Sequence, residues 1–142
     1  MLRTLFAVIA GFFAAEIVIT LIEAASAMWL FPPPPGFDFK DKAAVDAFVA
    51  SMPPAASATV LSGWLLGTFV GAFIAARVAL VHRLPASLSI GLIVVVGTIV
   101  NAAEIKHPAW VVALGVLLPL PLAWLAARLA ARPAQKGLPS TR

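Results

Sequence analysis

The sequence predicts an all-α protein, a four-helix transmembrane bundle with a short interfacial helix in the loop between spans 1 and 2. Three observations lead there. Of the 142 residues, 62% are hydrophobic and only 11% charged, with a mean hydropathy of +1.03. That leaves too little polar surface to face water, and hydrocarbon is the solvent such a chain fits. Four apolar stretches also reach the length of about 20 residues that a helix needs to cross a bilayer. Finally, the apolar runs are continuous rather than alternating, and a membrane barrel would need more strands than this length supplies.

The first span is read at about residues 5–31, the second at 56–81, the third at 86–105 and the fourth at 109–131. Residues 1–132 thus form one membrane domain, followed by a polar tail at 133–142 expected to be disordered. Arg3 followed by an apolar run and Ala25-Ser26-Ala27 imitates a cleavable signal peptide. Glu16 and Glu23 interrupt that run, which is also too long for a signal, so retention is expected. The formal net charge is +4. Arg3, Arg77, Arg83, Arg128, Arg132, Lys136 and Arg142 fall on one side of the spans, and Lys40, Lys42 and Lys106 on the other. The positive-inside rule then puts both termini in the cytoplasm of a bacterial inner membrane. Trp29 and Trp110 suit the outer interface and Trp124 the inner one, whereas Trp64 lies deeper and reads as a packing residue.

The outer loop begins with Pro32-Pro33-Pro34-Pro35-Gly36, a stiff extended strut. Asp41 can cap a helix at about 41–52, in which Val45, Phe48, Val49 and Met52 repeat at helical spacing. This helix is a connector, or a lid over the outer end. Pro108 suits the first position of the fourth span, and Pro119 with Pro121 predicts a kink there. In the second span Gly63, Gly67, Gly71 and Ala75 recur every four residues. Such a stripe lets another backbone approach closely. The first span is the favoured neighbour, and a second copy of the chain the alternative.

Ionisable groups within a span are costly and need a reason. Glu16, Thr20 and Glu23 share one face of the first span, with Glu16 near mid-depth. Asn101 and Glu104 share a face of the third, and His107 lies just above. These six residues form the candidate polar cluster, built from facing stripes of spans one and three. It is either a set of interhelical hydrogen bonds or a proton or cation path. Glu104 and His107 have a metal-ligand spacing, but a carboxylate-bridged site needs two such copies and two further glutamates, so no metal or other cofactor is expected. The chain has no cysteine, and no nucleophile elbow, phosphate loop or dinucleotide fingerprint occurs. The sequence therefore points away from an enzyme, and the lack of a basic patch on a soluble module points away from nucleic acid. The expected partners are the lipid bilayer and a membrane protein, another chain or a second copy.

Phe31-Pro32-Pro33-Pro34-Pro35-Gly36-Phe37-Asp38, His107-Pro108-Ala109-Trp110 and Leu118-Pro119-Leu120-Pro121 together resemble a group of small bacterial four-span inner-membrane proteins with no known activity. Ala15-Glu16-Ile17-Val18 is similar to the membrane-glutamate region of small multidrug-resistance transporters, which are proton-coupled four-helix dimers. The chain departs from them in its greater length, its large outer loop and its lack of tyrosine. Two functions follow as expectations. One is a non-catalytic accessory or structural membrane component. The other is a small proton- or cation-coupled carrier or channel using Glu16 and Glu23.

Overall fold

A computed structural model describes residues 2–131. The expected tail at 133–142 lies outside them. The described residues are helical with no strand: α1 (Leu2–Ala25), α2 (Lys42–Ser51), α3 (Pro54–Ala79), α4 (Arg83–Glu104), α5 (Ala109–Leu117) and α6 (Pro119–Ala130). A wider π-helical turn, Ser26–Leu30, prolongs α1. Four helices are long and apolar enough to cross a membrane: α1 with its prolongation, α3, α4, and α5 with α6. The large side chains Phe6, Phe13, Ile17 and Leu21 on α1 and Val96, Ile99 and Val100 on α4 are exposed. Lipid, not water, suits that surface, so the chain is a multi-pass membrane protein.

The central helix is α3, which packs against α1, α4, α5 and α6. Its stripe of small residues meets α1, running antiparallel. A methyl group added at Gly67 would lie 2.6 Å from Ile19 Cγ1 and 2.8 Å from the Ala15 carbonyl oxygen. One added at Gly71 would strike the Gly11 carbonyl oxygen and come within 2.8 Å of Ala15 Cβ. One at Gly11 would lie 2.8 Å from Ala75 Cβ. Lipid tails are as apolar as any side chain, so helices gain little by hiding apolar surface from them. Close packing must supply the attraction, and here it comes from two backbones meeting across Gly11, Gly67 and Gly71. Ala7, Ala72, Ala79 and Ile90 extend this core towards the end of the bundle that carries Arg3.

The fourth span is broken at Leu118 into α5 and α6. Pro119 has no N–H, so the Gly115 carbonyl loses its partner within the helix. The buried Thr98 hydroxyl of α4 donates to that carbonyl at 3.4 Å. One turn further along α6, buried Ser87 donates to the Ala123 carbonyl at 2.6 Å. These hydroxyls satisfy themselves and tie α4 to the kinked span.

Between α1 and α3, Pro34, Pro35, Gly36 and Phe37 form a turn closed by Phe37 N–H donating to the Pro34 carbonyl at 3.1 Å. Gly36 has φ +75°, the left-handed value that a type II turn requires after its proline. Asp41 caps α2 through its carboxylate, which accepts from the N–H groups of Ala43 at 2.9 Å and Ala44 at 3.2 Å.

If the seam between α1 and α3 holds the bundle, Gly71→Val overpacks it and costs about 1–3 kcal/mol. Leu66→Val, on an exposed position of the same helix, changes stability by less than about 0.5 kcal/mol. Thermal unfolding of the two variants in mild detergent checks the difference.

Candidate functional site

The polar residues collect at the end of the bundle that α2 covers, and Trp64 organises them. Its ring packs with Leu61, Val94 and Val111, in space that Gly115 leaves free: a methyl group there would lie 2.9 Å from Trp64 Cε3. From this wedge the indole Nε1–H donates to Glu23 Oε1 of α1 at 3.2 Å. The edge of the indole meets the His107 ring, with centroids 5.5 Å apart. His107 Nε2 lies 2.6 Å from Asn101 Oδ1. An amide oxygen can only accept, so the imidazole carries its proton on Nε2 and donates. Glu23, Trp64, His107 and Asn101 thus join α1, α3, the α4–α5 loop and α4.

Two chambers meet at this group. One, about 240 Å³, lies beneath α2, with Glu23, Asn101 and His107 among its lining residues. Its walls are apolar, with Phe37, Phe48, Val49 and Met52 above and Val60 below. Phe37 packs on Phe48 with ring centroids 5.0 Å apart. The backbone of α2 stands off the bundle, and the chamber is the gap under it. The other, lateral chamber, about 290 Å³, lies between α1 and α4. Glu16 and Glu23 line one side and Gly97, Thr98 and Asn101 the other. A methyl group added at Gly97 would meet nothing within 4 Å.

Electrostatics holds α2 in place. Asp46 lies 4.0 Å from Lys42 Nζ and 3.6 Å from Lys106 Nζ, and its carboxylate accepts from the Lys106 N–H at 3.4 Å. The Lys42 ammonium donates to the Glu104 carbonyl, a cation at the negative end of α4.

Of the six residues expected to cluster, Glu23, Asn101 and His107 come together. Glu16 lines only the lateral chamber; it is exposed and makes no hydrogen bond among the described residues. Thr20 and Glu104 are exposed and line neither chamber. Helix geometry explains the split. Each residue turns about 100° round the axis, and α1 turns Ala15 towards α3. Glu23 then lies about 80° from the seam and Thr20 about 140°. Glu104 lies about 60° beyond Asn101, past the edge of the cleft. Thr98 points to the Gly115 carbonyl rather than across to Thr20. The sequence reading missed the role of Trp64. The available signal was that a deep tryptophan beside a glycine seam needs a partner for its N–H. It also missed the α1 half of the seam, Ala7, Gly11 and Ala15, spaced like the glycines of α3.

The chain matches no family model, no curated protein and no solved structure.

Burial holds the His107 imidazole below the usual histidine range, because desolvation disfavours its charged form. The unfolded chain therefore takes up this proton first. The contribution of neutral His107 to stability is complete above pH ~6.5 and is lost as the pH falls from there through the lower folded value. In detergent the thermal midpoint of the wild type should fall by a few degrees between pH 7 and pH 5, and His107→Gln should remove most of that fall. An equal pH dependence in both proteins would contradict the assignment.

Proposed function

We propose that this chain is a non-catalytic accessory or structural component of a bacterial inner membrane, with both termini in the cytoplasm. The orientation is supported by Arg3, Arg77, Arg83 and Arg128 at one end of the bundle and Lys40, Lys42 and Lys106 at the other. On this reading α2 lies on the outer face.

The observation that sets the accessory reading above a carrier is the packing between Glu16 and the arginine end. Ala7, Ala15, Ala72, Ala75, Ala79 and Ile90 are buried there against one another. The buried hydroxyls of Thr68 and Ser87 are turned onto the Trp64 and Ala123 carbonyls. A path for a proton or a cation needs polar groups or water at every step, and the small apolar side chains packed here leave the Thr68 and Ser87 hydroxyls already engaged with backbone carbonyls. Glu16, without a partner among the described residues, suits an interhelical hydrogen bond to another membrane protein or a second copy.

The carrier reading has one observation in its favour: Glu16 and Glu23 line the same lateral chamber. Proteoliposomes separate the two. With a pH gradient imposed, wild-type protein should give no proton or cation flux above protein-free vesicles. Glu16→Gln should instead reduce recovery of the native complex or dimer from mild detergent. Flux above the vesicle baseline, lost in Glu16→Gln or Glu23→Gln, would replace the accessory reading with the carrier.

A further inference from the structure

We propose that the chamber under α2 is a binding site for one small amphiphile, with an apolar body about the size of a substituted ring and a head group that donates hydrogen bonds, an ammonium above all. The inference goes beyond the accessory reading and does not rest on it, since a site can bind without transport.

Size sets the body. An apolar cavity of about 150 Å³ accepts benzene, and drug-sized ligands occupy pockets from about 300 Å³ upward. At about 240 Å³ this chamber fits a ring with a short arm, and a diacyl lipid is too large for it. Aromatic and aliphatic side chains from the loop, α2 and α3 form the walls, so the body gains contact on several sides without desolvating polar groups.

Chemistry sets the head. Glu23 uses Oε1 for Trp64, and its Oε2 has no partner among the described residues. His107 gives Nε2–H to Asn101, which leaves the Nδ1 lone pair free to accept. The Asn101 amide nitrogen, also without a partner among the described residues, is the one unpaired donor of this trio. A carboxylate oxygen and an imidazole lone pair are thus the unused acceptors among the residues lining the chamber, and no lysine or arginine is among them. The nearby cations are engaged elsewhere, Lys42 with Asp46 and the Glu104 carbonyl and Lys106 with Asp46. An anionic head would meet Glu23 with nothing to offset the repulsion. A cationic head gains a charge-assisted hydrogen bond from the carboxylate.

Trp64 reports on occupancy because its indole holds the same carboxylate. The protein is placed in nanodiscs with Trp29→Phe, Trp110→Phe and Trp124→Phe, all at exposed positions, so that emission comes from Trp64 alone. Phenethylamine and 3-phenylpropanoate are the probes, with similar bodies and opposite charge. The amine should change the emission saturably, with a Kd of about 1 mM or tighter, and the anion should bind at least tenfold more weakly. Glu23→Gln keeps an acceptor for the indole and should weaken the amine at least tenfold. Val49→Phe should do the same by filling the chamber; if it does not fold, Glu23→Gln decides alone. The proposal is overturned if the amine does not saturate, if amine and anion bind equally, or if Glu23→Gln leaves amine affinity within twofold of the parent. None of these outcomes bears on flux, so this test and the proteoliposome assay fail separately.

Discussion

The close approach of α1 and α3 sets the position of nearly every other feature. Membrane helices are not driven together by release of water, so the depth of their contact depends on how near the backbones can come. At Gly11, Gly67 and Gly71 no side chain keeps them apart. This fixes the rotation of α1 about its axis, and that rotation decides where its acidic residues go. With Ala15 turned into the seam, Glu23 swings towards Trp64 and the cleft beside α4, while Glu16 is left at its lipid-facing edge. A shift of α1 by one residue would turn Glu23 by about 100° and take it off the indole.

From that seam the polar end is assembled by groups that each solve another's problem. Trp64 needs a large hollow, and Gly115 provides it. Pro119 strips the Gly115 carbonyl of its helical donor, and Thr98 supplies a hydroxyl. Glu23 is costly at the edge of the hydrocarbon, and the indole N–H offsets part of that cost. Asn101 and His107 pair with each other. Above them α2 is held at a distance by Asp46 and the two lysines, while its apolar face looks down. The result is a bundle closely packed around Ala7, Ala72, Ala79 and Ile90 towards its arginine end and hollow at its lid end.

Much of the fold was legible in the sequence because hydrocarbon leaves few alternatives. A run of apolar residues long enough to span must be helical, proline clusters must interrupt it, and a glycine every fourth residue must mark a close contact. The site was only half legible. A shared helical face brought Glu16, Thr20, Glu23, Asn101 and Glu104 into one group, but the sequence does not give the angle at which each face meets its neighbour. A difference of about 60° between Glu23 and Thr20 separates a residue bonded to Trp64 from one facing lipid. Trp64 itself looked like packing because its partner lies 41 positions away on a helix whose rotation was unknown. Gly11 and Ala15 drew less notice than the glycines of α3 because alanine is common throughout the chain.

The most direct test is of the α1–α3 seam as a contact within one chain. The protein has no cysteine, so a pair introduced at Ile22→Cys and Gly63→Cys has no competitor. A Cβ at position 63 would lie 3.5 Å from that of Ile22, inside the range of about 3.5–4.5 Å for a disulfide. Oxidation in native membranes should convert the double variant almost wholly to an internally crosslinked monomer, seen as a reducible shift in gel mobility. A crosslinked dimer as the main product, or free thiols throughout, would contradict the seam and the placement of Glu23 that depends on it.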